Sequence, residues 1–338
     1  MLRAERAPGP PSTVIVKWLR EDPRGFRVDP EQQLTEYAAL RFLQDLGLLL
    51  APRVLAADLP ASVLVLEDLA PRVPLLALLA AHPHDPAAAA GLVEFAAITG
   101  RLHAATTGRD DRYHRGRLRH GPVDPLVERR RFFMPWKDVG ALAGALEVPL
   151  TGGAEGDIAH ALHELTEPGP FLAFSNGDAG VNNFLVAGGT GGRLIDFEFA
   201  GYRHALSDTS CLYVPGPQWM AVADPSADGT EDAYRATASE GIPEVADDRR
   251  YGMGVGSAAL AYALSRLTRL ELLDGRAPGE DSRLQMVATL EAAAATAARF
   301  RVHPHLAGWT RRAADRLRRR WPDTDVDPTT VPPYTLRR

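Results

Sequence analysis

Apolar positions come in short β-branched runs near the start of the chain and in long Ala- and Leu-rich stretches after residue 70. STVIVKWL at 12–19 predicts a strand. DPEQQLTEYAALRFLQDLG at 29–47 predicts a helix, with Asp29 as N-cap, Pro30 in the first turn and Gly47 as the stop. Leu34, Tyr37, Ala38, Phe42 and Leu46 form its apolar stripe. VLAAD at 54–58 and SVLVLEDL at 62–69 predict a strand pair, followed by helices around 74–81 and 86–106. Strand patterns return at 171–174, 184–187 and 193–197, the last two flanking a GGTGG hairpin loop. Beyond Asp208 the chain is loop-rich to about residue 250, and helices are predicted at 256–273, 284–300 and 308–320. WTRRAADRLRRRW in the last of these puts Arg on most faces, which predicts a solvated helix. Strands gathered early, with helices and a few embedded strands after them, predict an α+β chain of two lobes rather than a repeating βαβ sheet.

Composition narrows the function classes. Over 338 residues, 45% hydrophobic and 24% charged content is that of a soluble globular protein. A net charge of −5 argues against nucleic acid as a partner. No apolar run approaches the roughly 20 residues that span a bilayer, and MLRAERAPGPPS has no secretory apolar core. The single cysteine, Cys211, excludes an intramolecular disulfide framework and fits the cytoplasm. Only two of the 38 cationic side chains are lysine, Lys17 and Lys137, so a lysine stands out against a background of arginine.

Two constellations carry candidate chemistry. In FLAFSNGDAGVNNFLV, at 171–186, Asp178 and Asn183 lie five positions apart between two apolar runs, and Asp196 ends RLID thirteen residues later. Asn183 and Asp196 are hard oxygen donors of the kind Mg²⁺ accepts, which leaves Asp178 to take a proton from an attacking hydroxyl. This is the arrangement of a kinase catalytic loop and metal-binding aspartate. The alternative is an ordinary Asn-Gly turn with solvated carboxylates. Lys17 interrupts an apolar strand, where an ionised amine needs a partner, and Glu36 on the next helix can supply one. Glu31 is an alternative partner, and a solvent-facing Lys17 the alternative arrangement.

Taken in order, VIVKWL, LTEYAALRFL, APRVL, LVLEDL, GRLHA, NGDAGVNN and LIDFEFAGYRHALSD resemble the aminoglycoside phosphotransferase family of small-molecule kinases, over roughly residues 12–215. The resemblance implies the protein-kinase-like two-lobed fold. A small N-terminal β-rich lobe over 1–69 would end in a hinge at 67–69. A larger helical lobe over 70–338 would carry the catalytic loop at 174–186 and a metal-binding segment at 193–208. It implies Asp178 as catalytic base, Asn183 and Asp196 as Mg²⁺ ligands, and Lys17 on the nucleotide phosphates, oriented by Glu36. Adenine would meet the hinge near Glu67, Asp68 and Leu69, and Asp208 would buttress the catalytic loop. The activity implied is transfer of phosphate from ATP, or GTP in its place, to a hydroxyl of a small molecule.

Three departures from the family pattern bear on this expectation. Asn176 stands where the family usually has His, and Arg203, His204 and Ala205 stand where Gly-Asp-Pro is common. Only LRAERAPGPPS precedes the Lys strand; LRAER resembles the second strand of the family's glycine-rich hairpin, so the first strand and its Gly-rich loop would fall upstream of Met1, and either the start is set too late or the protein lacks this clamp. These departures motivate an alternative, a catalytically silent kinase-like nucleotide- or ligand-binding protein. Asp224, Asp228, Glu231, Asp232, Glu240, Glu244, Asp247 and Asp248 form either an acidic lining suited to a cationic acceptor or a solvated acidic loop. GMGVGS at 252–257 is read as the start of a helix, and His103 as a satisfied buried histidine. The two His-Pro-His units, 82–84 and 303–305, lack partners at metal-ligand spacing.

Overall fold

The structure is a computed structural model, and the residues it describes are 2–5, 13–18, 30–82, 85–130, 139–187, 191–327 and 330–337. Strands β1 (Leu2–Glu5), β2 (Thr13–Trp18), β3 (Val54–Asp58) and β4 (Val63–Glu67) form one antiparallel sheet in the order β1-β2-β4-β3. LRAE thus pairs with the Lys strand, Arg3 opposite Ile15, as the resemblance implies. Lys17 sits opposite Leu64 in the next pairing. Helix α1 (Pro30–Asp45) packs beside β3; Asp29 lies outside the described residues. Gly47, at φ 72°, ends it as expected: Leu48 N–H reaches back to Leu43 O at 3.0 Å, closing a left-handed C-terminal cap. The helix is buried more widely than one stripe, since Ala39, Leu40 and Leu43 are buried as well; from the stripe, Phe42 packs on Phe174 (ring centroids 5.2 Å) and Tyr113 (5.5 Å) in the helical lobe.

A short strand β5 (Val73–Pro74) and helices α2 (Leu75–Ala81) and α3 (Pro86–Thr106) follow. Next come α4 (Asp110–Arg117), α5 (Pro125–Arg130), α6 (Val139–Leu146) and α7 (Gly152–Thr166). Four short strands then carry the motif residues: β6 (Leu172–Ser175), β7 (Phe184–Val186), β8 (Arg193–Leu194) and β9 (Gly201–His204). β7 and β8 form the expected hairpin, and Glu94 Oε1 accepts from the N–H groups of Gly191 and Gly192 at 2.8 Å each. β6 does not pair with β7. Its partner is β9, a strand that the polar residues Arg203 and His204 conceal, since both are buried. The segment 176–183 therefore connects two sheets and is not a hairpin loop.

The remainder is helical: α8 (Ser210–Tyr213), α9 (Thr230–Ala238), α10 (Asp248–Leu267), α11 (Leu270–Asp274), α12 (Asp281–Arg299) and α13 (Pro304–Arg320). Three expectations are corrected here. The loop-rich region holds α9, whose Tyr234 and Ala238 pack inward. GMGVGS lies within α10 rather than at its start; a Cβ on Gly252, Gly254 or Gly256 would fall within 2.3–2.7 Å of Phe300, His204 and Leu206, or Val302. The Arg-rich α13 is half-buried, with Trp309, Ala313, Ala314 and Leu317 inside and Trp309 Nε1 donating to Val148 O at 2.9 Å. Among the described residues no helix is long and apolar enough to cross a membrane. The result is the α+β, protein-kinase-like two-lobed fold, with one small sheet set against a mostly helical body.

Candidate active site

Three strands bring the chemistry-bearing residues to the boundary between sheet and helical body. From β2, Lys17 Nζ donates to Glu36 Oε1 at 2.6 Å and also to Asp196 Oδ1. Glu31, the alternative partner, instead pairs with Arg117. Burial alone would lower the Lys17 pKa, but Glu36 and Asp196 outweigh it and hold the amine above its ordinary value. The Lys17 side chain is 20% exposed and that of Glu36 5%, whereas Asp196 is 41% exposed. The ammonium thus links a buried carboxylate to one facing open space.

Asp196 follows the β7–β8 hairpin and sits in the left-handed region, at φ 57°. Ile195 N–H donates to Asn183 O at 2.9 Å, which places Asp196 one residue beyond a backbone tie to Asn183. Asn183 closes a short 3₁₀ turn, Val181–Asn183. Its amide nitrogen donates to Asp178 O at 2.9 Å and to Asp178 Oδ2 at 3.1 Å, so the loop residues are joined side chain to side chain. Burial pushes the Asp178 carboxyl above the ordinary aspartate value; the Asn183 bond opposes this, and Asp196 and Asp208 add to it.

Asn176 has a defined place in this arrangement. Its Nδ2 donates to Ile195 O (2.9 Å) and Asp196 O (3.2 Å), while its Oδ1 accepts from Asp178 N–H (3.1 Å). One buried amide therefore fastens the loop bearing Asp178 to the segment bearing Asp196. The adjoining Gly177 adopts φ 82°, and a Cβ there would lie 2.0 Å from Phe199 O. Below the loop, Asp208 Oδ1 accepts from Ser175 Oγ at 2.6 Å, and Ser175 Oγ accepts from Gly177 N–H at 2.9 Å. Asp208 Oδ2 lies 3.2 Å from His103 Nε2, and His103 Nδ1 lies 2.9 Å from Tyr234 Oη. His103 is satisfied and buried, as the sequence suggests.

The donor set suits a hard cation. Among the described residues Asn183 Oδ1 accepts one hydrogen bond, from Asn182 Nδ2 at 2.9 Å, and an amide oxygen has a second lone pair. Among the described residues Asp196 Oδ2 makes no hydrogen bond, and no group of three or more His, Cys, Asp or Glu side chains converges as a metal cluster. Glu198, two residues beyond Asp196, escapes sequence reasoning because it reads as an ordinary polar position. Its carboxyl is pushed up by burial, opposed by Lys17 and reinforced by Asp196, Glu36 and Asp178. Its acid-x-acid spacing from Asp196 is the signal that would find it.

The hinge segment follows β4. Asp68 Oδ2 accepts from Thr13 Oγ1 at 2.7 Å and Oδ1 from Ala70 N–H at 3.0 Å; burial is outweighed by these bonds and by Arg3, so its pKa falls. Glu67 accepts from Arg53, and the Leu69 carbonyl is occupied by Arg72 N–H at 3.1 Å.

A cavity of about 520 Å³ opens beside Asp178, lined by the loop 177–182, by 207–219 and by the C-terminal part of α10. None of the eight acidic residues at 224–248 lines it. Asp224 and Asp228 cap Ser226 and Thr230, Asp247 caps α10, and Asp248 pairs with Arg235 at 2.5 Å. The acidic-lining alternative is thereby corrected. A second cavity of equal size, between 213–225 and α12, holds none of the motif residues.

A sequence profile described as the phosphotransferase enzyme family matches residues 17–240, from the sheet lysine to beyond α9. The chain belongs to this family. Among solved structures, the chain is similar to a choline/ethanolamine kinase family protein from Mesorhizobium loti, at 16% identity over 88% of this chain and 87% of that one, with a TM-score of 0.47. It is also similar to choline kinase LicA from Streptococcus pneumoniae, at 15% identity over 86% and 92%, TM-score 0.45. An aminoglycoside phosphotransferase from Alicyclobacillus acidocaldarius matches at 14% identity over 95% and 92%, TM-score 0.46. No curated protein matches significantly.

Proposed function

We propose that this phosphotransferase transfers the terminal phosphate of ATP, with GTP as the alternative donor, to a hydroxyl of a small molecule, with Mg²⁺. The observation that carries the reading is the meeting of Lys17, Glu36 and Asp196 across the two lobes, with Asp178 tied to the same segment through Asn176. In this reading residues 1–69 form the nucleotide-binding lobe, 70–338 the helical lobe, and Glu67, Asp68 and Leu69 flank the adenine.

Lys17 binds nucleotide phosphate oxygens, held extended by Glu36. Asn183 and Asp196 would hold Mg²⁺, which when bound supplies neutralisation of phosphate charge. Asp178 positions the acceptor hydroxyl and takes its proton; the acceptor oxygen bonds to the terminal phosphorus as the bond to the nucleoside diphosphate breaks. Catalysis of this kind is mostly positioning and electrostatic stabilisation.

The test is phosphate transfer from γ-labelled ATP to an acceptor panel, with Mg²⁺ and with EDTA, for the natural protein and Asp178→Ala. Transfer that requires Mg²⁺ and is lost in the variant supports the reading. Full transfer by Asp178→Ala, or nucleotide binding without transfer to any acceptor, overturns it; the second outcome would favour the silent binding protein.

A further inference from the structure

We infer that the cavity beside Asp178 takes a small hydroxylated molecule bearing an anionic group, a carboxylate or a phosphate ester, gripped by Arg266 and Arg269. The inference rests on the phosphotransferase reading, in which Asp178 marks the position of the reacting hydroxyl.

The last turn of α10 and the residues after it bring Tyr262, Arg266 and Arg269 to the cavity wall, with Asp178 also on its lining. Among the described residues neither guanidinium has an ion pair or a side-chain hydrogen bond. Other arginines of the helical lobe do have carboxylate partners. Arg235 pairs with Asp248, Arg299 with Glu231, Arg318 with Glu291 and Arg320 with Asp274. Burial lowers the pKa of Arg266, and Arg269 and Arg337 lower it further, with only Tyr262 opposing. Like charge is thus gathered on a lining whose carboxylates, Asp178 and Asp208, form no ion pair with either arginine among the described residues, and an anion entering it would relieve that repulsion.

Polar groups on the same wall are also waiting for a partner. Tyr262 Oη and Ser207 Oγ are buried and make no hydrogen bond among the described residues. Tyr262 shares the cavity lining with Arg266 and Arg269 and also with Asp178. A guanidinium is the side chain best matched to a planar carboxylate or a phosphate, through paired N–H bonds.

A cationic acceptor fares worse on the same lining. Among the described residues the carboxylates there are Asp178 and Asp208, and Asp208 is committed to Ser175 and His103. Trp219 and Tyr334 offer aromatic surface, packed edge to face on each other at 5.5 Å. Cation attraction to such faces is modest, and here it would act against two unneutralised arginines.

The experiment uses ligands of one skeleton: glucuronate and glucose 6-phosphate as the two anionic sources, glucose as the neutral member and glucosamine as the cation. Binding is read from tryptophan fluorescence, since Trp219 lines the cavity, and transfer from ATP consumption. The natural protein, Arg266→Gln and the remote control Arg115→Gln are compared. The expected result is that one or both anions bind at least about tenfold more tightly than glucose or glucosamine. Arg266→Gln should then weaken that binding by about tenfold or more, with ATP affinity unchanged and the control unaffected. Anion binding lost in Arg266→Gln but without phosphate transfer supports the inference and counts against the kinase reading alone. Tighter binding or faster transfer with glucose or glucosamine overturns the inference and leaves the kinase reading standing. It is equally overturned by anion affinity that Arg266→Gln does not change, or by no binding of any member.

Discussion

Lys17 from the sheet and Asp196 from the helical lobe share a hydrogen bond, although 179 positions separate them in the chain. The same ammonium holds the buried Glu36 at 2.6 Å. Removing one member of a buried pair strands the other, at a cost of about 3 kcal/mol or more, whereas replacing both with apolar groups is close to neutral. Lys17→Met should therefore destabilise the protein more than the double variant Lys17→Met with Glu36→Leu, as measured by urea unfolding. Both variants should lose at least about a hundredfold in kcat/KM for ATP, because the proposed contact of Lys17 with phosphate disappears in each. Equal stability of the single and double variants would show that the pair is not coupled.

Asp178 has its pKa raised by burial, with the charges of Asp196 and Asp208 adding to the effect. In the proposed role of proton acceptor it works only when ionised, so kcat/KM for the acceptor should fall as pH falls, with its midpoint above the ordinary aspartate value of 3.8. The sign for stability is opposite. The native state holds the proton more tightly than the unfolded chain, so this group's contribution is present below 3.8 and is lost as pH rises through the native pKa. A pH–rate profile checks the first statement, and unfolding titrations of the natural protein against Asp178→Asn check the second.

Much of the site was legible because its residues break local rules. Lys17 intrudes on an apolar strand, and Asp178 and Asn183 interrupt two apolar runs; such violations mark function. The strand β9 was not legible. Arg203 and His204 read as polar surface, yet His204 Nε2 meets Glu164 at 3.3 Å and Arg203 donates to Phe199 O at 2.8 Å, which permits their burial. Arg266 and Arg269 were illegible for a different reason. Spaced three apart at the end of a predicted helix, they read as ordinary surface charge, and only the fold sets them on the same cavity lining as residues 177–182. The acidic residues at 224–248 show the converse, since most serve their own neighbours as caps or ion pairs.

Asn176 is buried and satisfies three backbone groups, those of Asp178, Ile195 and Asp196. Asn176→Ala leaves them without that partner and should cost about 1–3 kcal/mol of stability. It should also lower kcat more than it raises KM for ATP, because the fault lies in aligning Asp178 with Asp196 and not in nucleotide contact. Asn176→His restores a ring donor toward the same carbonyls, and its kcat should lie between those of the natural protein and the alanine variant. Thermal unfolding with steady-state kinetics on the three proteins checks this.

Asp208 separates a supporting role from a participating one. It touches the loop only through Ser175, whose hydroxyl holds Gly177 N–H, and on its other side it rests on His103 and Tyr234. Its charge nevertheless raises the Asp178 pKa. Asp208→Asn keeps an acceptor for Ser175 and removes the charge, so the acid limb of the pH–rate profile should move to lower pH while KM for ATP stays within about threefold. Asp208→Ala loses the acceptor as well, and should lower kcat by a further factor of about ten and stability by about 2 kcal/mol. Tyr234→Phe removes only the outermost hydrogen bond of this chain, so it should cost about 1 kcal/mol and leave the pH–rate midpoint in place. If Asp208→Asn shifts KM for ATP strongly and leaves the acid limb unmoved, Asp208 acts on the nucleotide and not through the loop.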